Sequence, residues 1–505
     1  MYAAIPPLPL ARVPSSSLAR VERFGVCTKL VGAIFLLGLG LIALVFPISH
    51  LASLLRHEIF PNPHDLPLAQ GNETATFLLD ISIKQFAFPK YGKECKINLY
   101  CYGESLPGPV IYLVPGEVFA IQVTNRLSSI PLKDQQPVLE NQYHSANSTA
   151  VHFHGLHISP ETVDNVFEPL PPNTTRFIRG KLLDSHPSGT YFAHPHLHGS
   201  SALQGGFAMA SPLVVLDTHP DWRAMQEQIL LLQILGLDTH HAYSDARLAF
   251  TENHAAQQSN KSTCNHTSQG FALINGHTAS MQLACDWQAR RWRIINAASD
   301  GALVLQWKPA SPACLLFEIA RDGLYLAHKR QFSARDTLLV PTGGRVDFVV
   351  EGEGCNKAKL LSAPESAPSW LGNKTNLFPP IVLVECHDLK SPAQAMPRKL
   401  PNLPGFMKSM IRHPVRQRRV MQWTEFPKDN PGGRYGINGE PFTALRPQFS
   451  VRLGHVEEWT IHNEYEEAHP FHIHTNHFQV VRDSLNTLRE GPWFIATFYS
   501  TRIWA

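Results

Sequence analysis

At 505 residues the chain is long enough for two to four domains with full hydrophobic cores. Hydrophobic content of 44% and charged content of 17% describe a globular protein, and a net charge of +3 gives no electrostatic case for nucleic-acid binding. Forty prolines against 32 glycines favour many short strands and turns over long helices, and 26 histidines are the unusual count.

The N-terminus reads as an anchor. Residues 30–55, LVGAIFLLGLGLIALVFPISHLASLL, carry no formal charge and are long enough to cross a hydrocarbon core of roughly 30 Å. Arg12, Arg20, Arg23 and Lys29 precede them, which keeps residues 1–29 cytoplasmic. The expectation is a single-pass signal anchor, with a cleaved signal as the alternative. Everything beyond it is expected in the lumen or outside the cell. N-x-S/T acceptors at Asn72, Asn147, Asn173, Asn260, Asn265 and Asn373 all fall on that side. So do Cys95, Cys101, Cys264, Cys285, Cys314, Cys355 and Cys386, where disulfides are permitted. Their odd number leaves at least one thiol unpaired within the chain.

A short pattern then recurs: IQVTN ending at Asn125, WRIIN at Asn296 and WTIHN at Asn463. Each alternates as a half-buried strand does, and Gly116 and Gly454 stand at the same distance before two of the copies. An interval of about 170 residues implies three domains of one type. The expected divisions are 70–220, 221–395 and 405–505. Boundaries fall near Thr218 to Asp221 and in the proline-rich stretch Ser391 to Pro404. The RQRR run at Arg416 to Arg419 is read as a solvated loop, or as a basic processing site. After Asn463 only roughly 40 residues remain, about half a sandwich, so the third domain is expected to be incomplete.

Three His-x-His pairs stand out: His152/His154 in AVHFHGLHISP, His194/His196 in GTYFAHPHLHG and His472/His474 in HPFHIHTNHFQV. On a strand, residues two apart share a face, so each pair presents two imidazoles together. One such pair is weak evidence. Three, from the first and last repeats, would converge if the outer domains packed face to face, and imidazole clusters suit copper, zinc, iron or nickel.

With these elements the chain resembles the multicopper oxidases. HxHG, HxH and HPxHxH occur in order, accompanied by LINGHTASM, RWRIINAAS, IARDG, GINGEPF and LGHVEEWTIHN. The likeness spans about residues 75 to 482, and HPSGTYFAHPHLHGSSALQGG is similar to bacterial laccase-like members rather than fungal laccases. The resemblance implies an all-β fold of three consecutive cupredoxin-like Greek-key sandwiches, the third incomplete, behind the transmembrane helix. It implies copper held by His152 and His472 (type 2), by His154, His194, His196 and His474 (type 3), and by His469 (type 1). His157, His198 and His477 fall off the ligand positions, as supporting or surface groups. Asp164 matches the acid that relays protons, although an ordinary turn aspartate reads the same way.

The family's HCHxxxHxxxxM element has no counterpart before Ala505, and no cysteine follows Cys386. Type 2 and type 3 sites are therefore partly present and type 1 is incomplete, since a blue site needs a thiolate. The implied reaction couples one-electron oxidation of a small reductant, a phenol or a metal ion, to four-electron reduction of O2 to water. A shortened gene product, inactive as written, is one expectation; a non-catalytic copper-binding surface protein is the other. A zinc hydrolase is disfavoured because HExxH is absent.

Overall fold

The computed structural model describes residues 76–128 (except 91–92), 145–235, 271–367 (except 279, 285–288 and 300), 377–387, 395–403, 413–463 (except 428–429, 431–434 and 445), 469–481 and 498–500. All of them belong to one compact unit, Leu66–Ala505. The expected anchor lies outside the described residues, among which no helix is long and apolar enough to cross a membrane.

Eight strands form the first β region: β1 (Thr76–Lys90), β2 (Lys93–Tyr102), β3 (Ile111–Leu113), β4 (Val118–Asn125), β5 (Val151–His154), β6 (Thr174–Lys181), β7 (Gly189–Pro195) and β8 (Ser211–Val215). They make two sheets, ordered β2-β1-β4-β6 and β3-β8-β7-β5. The alternation legible in β4 turns Phe119, Ile121 and Val123 inward, where they meet Phe153, Tyr191 and Leu213 of the second sheet. Strands β7 and β8 are buried on both faces, because their outer side also packs on the next region. There Phe192 and Val214 share a cluster with Ile229, Leu231 and Ile295.

The middle region is a sheet of six strands over one of five, closed on a core that includes Trp292, Trp307 and Phe348. The last region has a four-stranded sheet containing Val415–Glu425 and Val456–His462, and a pair formed by His469–Phe471 with Phe498–Ser500. Its sheet is thinly covered: every residue of Val456–His462 is only half-buried and Leu453 is fully exposed.

Each copy of the repeat is a strand that pairs in parallel with an earlier one: β4 with β1, Arg290–Asn296 with Glu227–Leu235, and Val456–His462 with Val415–Glu425. The terminal asparagine has a purpose. Asn125 Nδ2 donates to the carbonyls of Asn147 and Leu170 while Oδ1 accepts from Leu127 N–H. Asn296 does the same with Gly301, Val340 and Ala298. Each side chain ties off backbone groups that the end of a strand would leave unsatisfied in the core. Gly116 and Gly454 both have positive φ, at 82° and 83°, so the repeated glycine marks a repeated turn.

Two expectations are corrected. Arg416 to Arg419 form not a loop but part of the strand Val415–Glu425, where Arg418 and Arg419 face Glu458 and Glu457. Near the boundary expected at Thr218 to Asp221, Trp222 on the short helix Pro220–Arg223 is buried and its indole N–H donates to Lys399 O. Asn147 is unsuited to carry a glycan, being buried and bonded to Tyr100 and Ser128. Asn173 is exposed. Cys314 and Cys355 form a disulfide, Cys386 is disulfide-bonded, and Cys101 is a buried free thiol.

Candidate metal centre

β5 and β7 pair antiparallel with His152 opposite His194. The period of two sends Phe153 into the sandwich core and leaves His152 and His154 on the other face. His196 follows the end of β7, where its N–H is held by Ala150 O at 2.8 Å. From the last region His472 and His474 come down on this face. His474 stacks on His152 at 3.9 Å between ring centroids, and His472 stacks on His154 at 4.0 Å. His196 meets His474 edge-on at 4.7 Å, and His154 Nδ1 lies 3.3 Å from His194 Nε2. Six of the seven histidines expected as ligands thus form one cluster across the seam between the first and last β regions. His469 stands elsewhere, its ring near those of Trp423 and Tyr435.

The ring nitrogens are poised for a ligand. His152 Nε2, His154 Nε2, His196 Nδ1 and both nitrogens of His472 are buried without a hydrogen-bond partner. Buried polar atoms are rarely left so unless something else occupies their lone pairs. Ligand atoms of His152, His154 and His472 lie within 4.8 Å of one another, as do those of His152, Asp164 and His474. Burial keeps the rings neutral: His194 is pushed down to about 4, His196 and His474 to about 3, and His152, His154 and His472 well below the usual imidazole range. Neutral imidazole is the form that binds metal. An all-imidazole donor set with unpartnered, unprotonated nitrogens fits copper.

Asp164 lies against the cluster. It is buried, its Oδ2 lies 2.8 Å from His152 Nδ1, and its Oδ1 accepts Phe153 N–H at 2.9 Å. A carboxylate on Nδ1 fixes the tautomer that leaves Nε2 free to bind metal. Burial raises the Asp164 carboxyl to about 7, against the opposing Phe153 hydrogen bond.

Sequence reasoning missed three participants. His186, in the turn before β7, is buried and accepts His157 N–H at 3.1 Å. Arg345, from the middle region, is fully buried and donates to the carbonyls of Thr190, Gly343 and Asp322. Thr475, beside His474, accepts at its carbonyl from His157 Nδ1 at 2.8 Å. His198 packs against Phe442 at 4.1 Å, outside the cluster, as expected. His186 does occur in the quoted HPSGTYF string, but a lone histidine in a turn carries no periodic signal.

Comparison with known proteins agrees with this geometry. The multicopper oxidase family model matches residues 412–494. The multicopper oxidase MmcO of Mycobacterium tuberculosis is 24% identical over 418 residues, covering 76% of this chain and 73% of its own. In fold the chain is similar to a multicopper oxidase from Campylobacter jejuni described as a metallo-oxidase (TM-score 0.63, 20% identity, 88% of this chain and 87% of that one). It is equally similar to the laccase-like CueO of Ochrobactrum sp. (TM-score 0.63, 18% identity, 88% and 91%). Those matches and the imidazole cluster at the seam make the chain similar to the multicopper oxidases, in sequence over residues 412–494 and in fold over most of its length.

Proposed function

We propose that the seam is the O2-reducing copper centre of a laccase-type oxidase, with a small phenol or metal ion as reductant. The observation that carries this reading is the convergence of six imidazoles from two separate β regions, two buried and four half-buried, four of which have unpartnered ring nitrogens. His152 and His472 would hold the type 2 ion, and His154, His194, His196 and His474 the type 3 pair. Bound copper supplies the electron transfer to O2. The chain supplies the rest. The two β regions bring the imidazoles together at the seam, and Asp164 holds a proton at His152 Nδ1 where its carboxyl, near 7, can take or release it.

His469 is assigned to the type 1 site, beside Trp423 and Tyr435. A second reading is a copper-binding protein of the same fold that does no catalysis. The two relatives differ in what their descriptions say of them, one a metallo-oxidase and one active on lignin model compounds, so both reductant classes fit. The Cys314–Cys355 disulfide supports a lumenal or extracellular setting, with residues 30–55 as the anchor.

The test is copper analysis of the purified full-length chain, with His154→Ala and His474→Ala alongside. Uptake that falls in both variants supports the centre; uptake unchanged in both defeats it. O2 consumption, with and without a thiolate-bearing C-terminal segment from a relative, separates oxidase from binding protein.

A further inference from the structure

His157 ends the segment HFHGLH, three residues beyond His154 and outside the ligand set. Between the two, Gly155 turns the chain with φ +89°. The turn brings the His157 ring to the last β region, where Nδ1 lies 2.8 Å from Thr475 O. A carbonyl only accepts, so Nδ1 carries the proton and the tautomer is settled. Behind the ring, His157 N–H donates to His186 Nε2 at 3.1 Å, and His186 Nδ1–H donates to Pro187 O at 3.0 Å. Both nitrogens of His186 are therefore used, and its ring braces the His157 backbone against the turn that leads into β7.

The other end of the bond is equally pointed. Thr475 directly follows His474 and has φ +68°, a left-handed conformation that β-branched residues rarely adopt. Such a residue stays in place only where its surroundings hold it. On its far side Asn476 N–H donates to His474 O at 2.7 Å, which closes a tight turn around the bonded carbonyl. The ring of His477 lies 5.8 Å from that of His157, so the turn packs on the same imidazole that binds it.

We propose that His157 is a positioning residue: its Nδ1–H clamps the Thr475 carbonyl and so sets the backbone from which His472 and His474 reach His152 and His154. The clamp joins the two β regions beside the metal ligands without occupying a ligand position. It rests on the reading of the seam as a copper centre, yet the clamp itself can be observed without metal.

Two conservative variants of the full-length chain test it. The side-chain amide of His157→Asn places an N–H close to where Nδ1 stands. In His157→Gln the amide sits one bond farther out, in the place of Nε2, so bulk and polarity are kept and the bond is lost. Amide hydrogen exchange is followed in the metal-free protein over residues 469–481. The expected result is exchange roughly tenfold faster in His157→Gln, about the factor one hydrogen bond provides, and near-parental exchange in His157→Asn. With copper added, His157→Gln should bind roughly 10- to 100-fold more weakly and show altered copper hyperfine splitting in its electron paramagnetic resonance spectrum, while His157→Asn restores both. If the two variants behave alike in exchange, or alike in copper binding where the parent binds copper, the clamp is refuted. If the parent chain binds no copper while the exchange contrast appears, the clamp stands and the copper reading of the seam falls.

Discussion

Gly155→Ala should damage the centre without touching a ligand. Gly155 has φ +89°, and a Cβ built there would lie 2.3 Å from Arg345 Nη2 and 3.1 Å from the Tyr191 ring. A long side chain usually moves aside from such a clash. Arg345 has nowhere to go: it is fully buried, and its guanidinium donates to Thr190 O at 3.1 Å, Gly343 O at 2.9 Å and Asp322 O at 2.9 Å. The left-handed backbone alone costs an alanine about 1–2 kcal/mol. Breaking one charged hydrogen bond adds about 1.5–3 kcal/mol. Together these amount to roughly 3–5 kcal/mol, or a fall of roughly 6–20 °C in the melting of a domain this size at about 2–4 °C per kcal/mol. Differential scanning calorimetry of the metal-free chain reads that shift directly, and copper titration reads the displacement of His154. A Gly155→Ala protein that melts within 2 °C of the parent and binds copper equally would show that Arg345 yields freely, and the account of this turn would be wrong.

Asp164→Asn keeps the shape but removes the charge that holds His152 Nδ1–H, so copper affinity should drop roughly 10- to 100-fold, measured against a competing chelator; equal affinity would reduce Asp164 to packing. Asn296→Ala leaves the carbonyls of Gly301 and Val340 and the Ala298 N–H unsatisfied in the core, at a cost of about 2–4 kcal/mol in urea unfolding; Asn125→Ala should cost a similar amount, and a loss under 1 kcal/mol at both would deny the repeat its structural role. The metal-free chain should lose stability in acid. His186, lowered to about 4 by burial, takes up its proton more readily when unfolded, so its contribution of about 3 kcal/mol is present above pH 6.5 and lost as pH falls through 4. His194, His196 and His474 act in the same direction. Asp164, raised to about 7, acts the other way and weakens the fold as pH rises through that value. Urea midpoints from pH 7 to 4 should fall less steeply in His186→Gln than in the parent; parallel curves would count against the buried neutral ring.

What the sequence made legible was periodic. His152 and His154 share a strand face, and His194 meets them because β5 and β7 are hydrogen-bonded neighbours, whereas His472 and His474 follow the strand His469–Phe471 and do not lie on one. The recurring strand ending in asparagine is readable for a similar reason: one backbone problem, the end of a buried strand, has one side-chain solution. The Asp164 reading stayed divided because a turn aspartate and a buried carboxylate look identical until folding brings Asp164 back against His152, twelve positions earlier in the chain. His186, Arg345 and Thr475 gave no periodic sign. Each acts through a backbone carbonyl or amide of a distant segment, and a backbone group carries no letter in the sequence. The arginines of Arg416 to Arg419 misled in the opposite sense, since a strand with one exposed face accommodates charge as readily as a loop does.

Among the described residues the middle β region contributes no imidazole to the cluster, yet it fixes the strand that does. Thr190, four residues before His194, donates its hydroxyl to Asp347 Oδ1 at 2.7 Å and accepts from Arg293 Nη1 at 2.9 Å, while its carbonyl is held by Arg345. Behind it Arg291 joins Asp347 to Asp217, and Tyr325 caps Asp217 at 2.6 Å. Such a buried ionic network adds little net stability, because desolvation cancels much of the attraction. It is directional, however, and every member is bonded, so only one placement of β7 satisfies it. A smooth apolar contact there would let β7 slide by fractions of an ångström, and a metal centre tolerates little of that. The middle region therefore acts as the anvil on which the first-region imidazoles are set.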